Sequence, residues 1–341
     1  MKILLFKPGA IGDLLQLSPV IRAIHERIPD AKISLMTGSA ATAEMFASDP
    51  LVEETLVFDR KGKHRPLRAF FELRKALKSR RFDLVVNFQR SNLKGWLLLS
   101  ASMPCRVLVY HKDRRRVVHA VENLLETVAP LGIDPRAADH SLKMLLVKED
   151  LRQAEELLSR EGLLGRPAVA LVPGASHPLK SWPVGHFAKL VCRLSSELGV
   201  ASVLVGGPRD RALADAVLAE SAGAGVVDLV GRASLRQSAA VLARCRLAVS
   251  GDTGPMHMAT AVGARVVALL GPTDPLRTGP VGEGHIVLQA GEVSCVPCRS
   301  LTCDHVPQKE CMERITADAV FEAVKQVLSD IYGCPGRFDG L

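Results

Sequence analysis

Leu247-Ala248-Val249-Ser250-Gly251-Asp252-Thr253-Gly254-Pro255-Met256-His257 is the stretch whose reading decides the architecture of this 341-residue chain. Its first three residues read as a buried strand that stops at Ser250-Gly251. Gly254-Pro255 then opens a helical pattern over Met256 to Val262, with Pro in a first-turn position where its missing N–H costs nothing. A second apolar run, Arg265 to Leu270, ends in Gly271-Pro272-Thr273. A strand, Gly-containing loop, helix and strand in this order direct backbone N–H groups at whatever sits above the strand ends, which suits a phosphate. Asp252 and His257 add polar side chains to that loop.

The same alternation runs through the whole chain. In the first half, strands are expected at Ile3–Phe6, Lys32–Met36, Thr55–Phe58, Leu84–Asn87 and Cys105–Tyr110. Helices are expected over 12–26, 42–47, 68–78, 92–100 and 120–131. In the second half, strands at Val169–Val172, Ser202–Val205, Val226–Leu229 and Leu247–Val249 alternate with helices over 184–198, 210–222 and 235–244. Such alternation predicts α/β structure with parallel sheets. Each half opens on a strand followed by Pro-Gly-Ala, at Pro8-Gly9-Ala10 and Pro173-Gly174-Ala175. The chain is long enough for two domains, and the Gly- and Pro-containing stretch 162–167 is the expected boundary. The domains are therefore 1–162 and 163–315, followed by a C-terminal helix and tail, 316–341, with Thr316 as N-cap.

Charge is unevenly placed. Residues 1–160 hold 27 Lys and Arg against 19 Asp and Glu, whereas residues 161–341 hold 17 of each, so the surplus of eight positive charges lies in the first part. Its basic clusters are Arg60 to Arg68, Arg74-Lys75, Lys78 to Arg81, and Lys112 with Arg114, Arg115 and Arg116. They read either as a solvated face or as a landing zone for a polyanion, such as a phosphorylated glycolipid or an acidic membrane surface. Nucleic acid is not an expected partner, because aromatics to stack bases are few and no recognition module is present. No apolar run approaches the length of a membrane span, and Ile3–Phe6, broken by Lys7-Pro8-Gly9, does not read as a secretory signal. A cytoplasmic protein is expected.

Several groups could carry chemistry. Asp13, in the first helical turn after the first strand, serves either a site at the carboxyl ends of the strands or only the electrostatics of the helix start. Ser176 and Lys180 lie in the loop Val172 to Pro183, where a hydroxyl and an ammonium can meet phosphate oxygens; Trp182 anchors that loop. The loop spacing is not that of a Walker P-loop, and no G-x-G-x-x-G occurs. Cys295-x2-Cys298-x4-Cys303-x7-Cys311 begins with zinc-knuckle spacing, so either a structural zinc or four reduced thiols are expected there. Cys105, Cys192 and Cys245 read as buried small hydrophobes. No Asp-x-Asp pair is present to bring a divalent ion to a nucleotide sugar.

In Gly12-Asp13, Pro173-Gly174-Ala175 with Lys180-Ser181-Trp182-Pro183, Val205-Gly206-Gly207, Asp252 to His257, and Gly271-Pro272-Thr273-Asp274-Pro275, the chain resembles the lipopolysaccharide heptosyltransferases, glycosyltransferase family 9. The resemblance spans nearly its full length and rests on the order and spacing of the pieces. It implies a GT-B fold, two Rossmann-like parallel-sheet lobes facing a cleft, with the acceptor on the N-terminal lobe and the nucleotide-sugar donor on the C-terminal one. It further implies an inverting transfer of heptose from ADP-heptose to a lipopolysaccharide inner-core acceptor, with no metal or other cofactor required. By the same resemblance Asp13 is the general base. Lys180, Ser176 and the N–H groups of Thr253 to Met256, a turn shaped by Gly254 and Pro255, hold the diphosphate. Gly174 lines the donor loop, Asp252 orients the heptose, His257 supports the diphosphate, and Asp210 serves the ribose or adenine side. Arg114, Arg115 and Arg116 would meet the phosphorylated lipid A–core glycolipid, placing the protein peripherally at the cytoplasmic membrane face. Two alternatives stay open: another sugar or acceptor within the family, and a sugar-nucleotide-binding protein without turnover.

Overall fold

A computed structural model describes residues 1–89, 92–111 and 116–333. The chain divides into two compact units, Met1–Leu145 and Leu146–Leu341.

The first unit is built on a five-stranded parallel sheet: β1 (Lys2–Phe6), β2 (Lys32–Thr37), β3 (Glu54–Val57), β4 (Leu84–Asn87) and β5 (Arg106–Val109), in the order β3-β2-β1-β4-β5. The central strand β1 is an unbroken apolar run because both faces of a parallel sheet are covered. Ile3, Leu4, Leu5 and Phe6 are fully buried, and β1 pairs Ile3 with Ile33 on one side and with Leu84 on the other. The strand order reverses between β1 and β4, the place where open α/β sheets take ligands. Phe6, Phe58 and Phe70 form a chain of tilted rings 6.0 and 6.3 Å apart in this unit's core.

The helix expected over 12–26 is broken in two, Ile11–Leu15 and Ser18–Arg27. Pro19 has no N–H to offer the Leu15 carbonyl four residues back, and the Ser18 hydroxyl takes that oxygen instead at 2.8 Å.

The second unit carries six parallel strands, β6 (Ala168–Val172), β7 (Ala201–Leu204), β8 (Val226–Asp228), β9 (Leu247–Gly251), β10 (Arg265–Leu269) and β11 (Ile286–Leu288), in the order β11-β10-β9-β6-β7-β8. Its switch point lies between β6 and β9, which pair Leu171 with Val249. The edge strand β11 is absent from the expectations above; three half-exposed residues make too short a signal.

Two domain expectations are corrected. The boundary falls after Leu145 rather than after Gly162, because helix Lys148–Arg160 packs within the second unit. Arg236 holds Asp150 there in a two-pronged ion pair, with Nε–H donating to Oδ1 at 2.9 Å. Helix Ala317–Tyr332 is not a separate element either. Its Val320, Phe321, Val324 and Leu328 are buried in the second unit's core with Leu190, Val191 and Leu194. Thr316 caps it as expected, accepting the Ala319 N–H at 3.2 Å.

Candidate active site

The loops that follow β6 and β9 meet at the switch point of the second unit. The Lys180 ammonium donates to Asp252 Oδ2 at 2.8 Å, and the His257 Nε2 lies 3.9 Å from Asp252 Oδ1. Asp252 and His257 are buried, while Lys180 is partly open to solvent. The approach is close: a Cβ on Gly251 would stand 3.0 Å from the Lys180 carbonyl oxygen.

Helix Gly254–Ala261 begins here with Thr253 as N-cap and Pro255 in its first turn. The Thr253 side chain makes no capping bond, so it does not satisfy the first-turn donors. Pro255 contributes no N–H, and the donors expected of this turn narrow to Thr253, Gly254 and Met256. A cation, a positive helix end and a buried carboxylate thus share one corner, suited to an anionic group with hydroxyls beside it.

The Lys180 loop is shaped by its neighbours. His177 Nδ1 accepts the Leu179 N–H at 3.3 Å, closing the short turn Pro178–Lys180. Trp182 is buried against Phe187 and donates from Nε1 to the Ile315 carbonyl at 2.7 Å, so the indole does fasten the end of this loop. Ser176 is exposed on the same loop.

Gly174 and Asp210 prove to be packed together. A Cβ on Gly174 would lie 2.1 Å from Asp210 Oδ1, and the same carboxylate accepts the Gly207 N–H at 2.8 Å. Asp210 therefore braces the loops after β6 and β7, a use not foreseen from the sequence. Gln289 was likewise unforeseen. From just past β11 its amide donates to the carbonyls of Gly271 and Thr273, at 3.3 and 2.8 Å, and holds the loop after β10.

In the first unit, Asp13 sits half-exposed in the turn after β1. Its Oδ2 accepts the Ala10 N–H at 3.4 Å, and its Oδ1 lies 3.5 Å from the Lys7 ammonium. The helix-start role is therefore present, and it leaves the carboxylate accessible. Lys7 also stands 5.8 Å from the centre of the Tyr110 ring, whose hydroxyl is shifted upward by burial first and by the Asp13 charge second. Lys7 belongs to the site by position; its place beside the Pro8-Gly9 turn was the only signal for it.

The anion-surface expectation narrows. Arg114 and Arg115 lie outside the described residues. Arg116 is held by two carboxylates, Glu126 at 2.7 Å and Glu122 at 3.3 Å, so its charge is already countered.

Among the cysteine expectations, the burial of Cys105, Cys192 and Cys245 together is corrected. Cys295, Cys298, Cys303 and Cys311 line one narrow cavity with His305 and Glu310. Yet among the described residues no three His, Cys, Asp or Glu side chains converge as a metal-holding set. His305 is drawn onto the Glu310 carboxylate, and Cys303 Sγ accepts the Lys309 N–H at 3.4 Å. Burial, followed by the neighbouring thiols, pushes the Cys311 thiol up. Of the three scattered cysteines Cys245 alone is buried, with its thiol pushed up to about 12, whereas Cys105 is half-buried and Cys192 exposed.

The model of glycosyltransferase family 9 (heptosyltransferase) matches residues 70–308. The chain is 26% identical over 325 residues to lipooligosaccharide heptosyltransferase 2 of Haemophilus influenzae, covering 88% of this chain and 91% of that one. Among solved structures it is similar to the family 9 glycosyl transferase of Veillonella parvula, with a TM-score of 0.83, 22% identity, and coverage of 96% and 97%. It is also similar to the E. coli ADP-heptose lps heptosyltransferase II, with a TM-score of 0.77, 23% identity, and coverage of 97% and 99%. The fold is accordingly GT-B, with two Rossmann-like parallel-sheet lobes.

Proposed function

Because the chain belongs to glycosyltransferase family 9, we propose that it transfers heptose from ADP-heptose to an inner-core sugar of lipopolysaccharide, with inversion and without a metal ion. The observation that carries this reading is the corner formed by Lys180, Asp252 and the start of helix Gly254–Ala261. In it the Lys180 ammonium and the N–H groups of Thr253, Gly254 and Met256 bind the diphosphate and the charge that grows on it as ADP departs. Asp252 turns its second oxygen to the sugar hydroxyls, and His257 steadies Asp252 from behind. An acceptor hydroxyl attacks the anomeric carbon, the bond from that carbon to the diphosphate oxygen breaks, and Asp13 takes the hydroxyl proton as the new C–O bond forms.

The second unit is thus the donor side and the first unit the acceptor side. The names of the curated relative and of the E. coli structure support the choice of heptose, ADP-heptose and a lipopolysaccharide acceptor. The phosphorylated lipid A–core glycolipid places the work at the inner face of the cytoplasmic membrane. Among the described residues no helix is long and apolar enough to cross a membrane, which fits a peripheral association.

The test is direct. Purified protein is incubated with ADP-heptose and a panel of truncated core acceptors, with and without EDTA, and the product linkage is determined by NMR. Transfer of an inverted heptosyl group, unaffected by EDTA, is expected; no transfer to any core acceptor, or transfer abolished by EDTA, would count against the reading.

A further inference from the structure

We propose that the outer face of the first unit, where helices Leu67–Arg80 and Leu93–Leu99 lie side by side, is a docking surface for an anionic phospholipid bilayer. This rests on the proposed lipid-linked acceptor and names the surface by which the protein reaches it.

Four large apolar side chains are exposed on these two helices: Leu67 by 72%, Phe71 by 56%, Leu93 by 83% and Leu97 by 52%. The core does not need them. The first helix is anchored inward by Phe70 and Leu77, and Gly95 brings the second so close to β1 that a Cβ there would stand 2.9 Å from the Phe6 ring. Arg74 bridges the pair, donating from Nε to the Leu97 carbonyl at 3.2 Å and from its terminal nitrogen to Ser100 Oγ at 3.1 Å. One and two turns before Arg74 come Phe71 and Leu67, and one turn before Leu97 comes Leu93. The bridge joins the two helices, and we read the two exposed pairs, each about one turn apart along its own helix, as one apolar strip. An apolar strip on adjacent surface helices is the kind of feature that marks an interaction site.

Charge selects the occupant. Arg68, Lys75 and Lys78 on the first helix and Lys94 on the second are exposed around the strip. The loop leading into the first helix adds exposed Arg60, Lys61, Lys63 and Arg65. Glu72 is the one acidic residue on either helix, and it is paired with Arg68 at 3.0 Å. A second copy of the chain packed face to face here would bring these cations against each other. An anionic bilayer meets both features at once: its headgroups take the Lys and Arg side chains, while Leu and Phe enter the boundary of the acyl chains.

The test uses the full chain in co-sedimentation with vesicles of equimolar phosphatidylglycerol and phosphatidylcholine, and with phosphatidylcholine alone. The wild type is expected to bind the first and not the second, less strongly as salt is raised. Phe71→Ser with Leu93→Ser should weaken binding about tenfold or more, and Lys75→Glu with Lys78→Glu should do the same by the charge route. Both pairs are exposed, and unchanged melting temperatures confirm that the fold is kept. The proposal is overturned if both double variants bind as the wild type does, or if the wild type binds neither vesicle. It is also overturned if sedimentation velocity finds a dimer that Phe71→Ser with Leu93→Ser abolishes, which assigns the strip to a second copy. A deacylated, water-soluble core acceptor separates this from the proposed activity. The Phe71→Ser, Leu93→Ser variant should glycosylate it at the wild-type rate, while failure of the wild type there would sink the activity and not the surface.

Discussion

Lys180 and Asp252, 72 residues apart in sequence, meet in a 2.8 Å ion pair at the junction of two neighbouring strands. The ammonium is held in place by the carboxylate and still has donors left for phosphate oxygens. Lys180→Ala should therefore act twice. On the proposed reading it removes a contact to the departing diphosphate, for a loss of about 10²–10³ in kcat/KM. It also strands a buried carboxylate, for a loss of about 1.5–3 kcal/mol in stability. Asp252→Asn keeps a hydrogen-bond acceptor for Lys180 and should cost less stability than Lys180→Ala. Calorimetric titration with ADP separates the roles: if the Lys180→Ala protein binds ADP as tightly as the wild type, Lys180 does not hold the diphosphate.

On the proposed reading Asp13, in the first unit, gives the opposite pattern. Asn at this position can still accept the Ala10 N–H that Asp13 accepts now, so the helix start survives and the stability change should stay within about 1 kcal/mol. Turnover should fall by about 10²–10⁴-fold with ADP affinity unchanged. Steady-state kinetics beside an ADP titration checks both halves, and wild-type turnover would remove Asp13 from the chemistry.

The alternation of short apolar runs with helical patterns made both sheets legible, since buried parallel strands such as Leu247–Gly251 need to be apolar along their length. The residue types of the site were legible for a related reason: loops at the carboxyl ends of strands are where polar residues collect. What the sequence could not show were relationships made by topology. The Lys180–Asp252 pair exists because β6 and β9 are neighbours although two strands separate them in sequence. Helix Lys148–Arg160 has an amphipathic pattern that says it must pack but not on which unit; Arg236 decides that through Asp150. The cysteine spacing left a structural zinc and four reduced thiols both open, and it could not show that Glu310 takes His305.

Gly174 and Asp210 allow the bracing role to be measured. With a Cβ only 2.1 Å from Asp210 Oδ1, Gly174→Ala should destabilise the second unit by about 1–3 kcal/mol. Asp210→Ala removes the obstruction, so the double variant should be more stable than the sum of the two single changes predicts. Urea unfolding of the four proteins closes the cycle. Strict additivity would mean that the two residues do not press on each other, and a collapse of ADP affinity in Asp210→Ala at retained stability would return Asp210 to direct donor binding.

The Asp150–Arg236 pair ties helix Lys148–Arg160 to helix Leu235–Cys245, and both side chains are nearly buried. The Arg236 hydrogen bonds hold the Asp150 carboxyl below its usual range against the cost of burial, and the Val147 N–H adds to the effect at 2.8 Å. A carboxylate whose folded pKa is depressed contributes stability that is fully present above its unfolded value, about 3.9. That contribution is lost as pH falls from there through the lower folded value. Asp150→Asn should therefore cost about 2–4 kcal/mol near neutral pH, where it leaves Arg236 without its anion. The difference between variant and wild type should shrink as pH drops below about 4. Urea midpoints measured across that range decide it: a difference that stays constant with pH would show that the charge of Asp150 is not what joins the two helices.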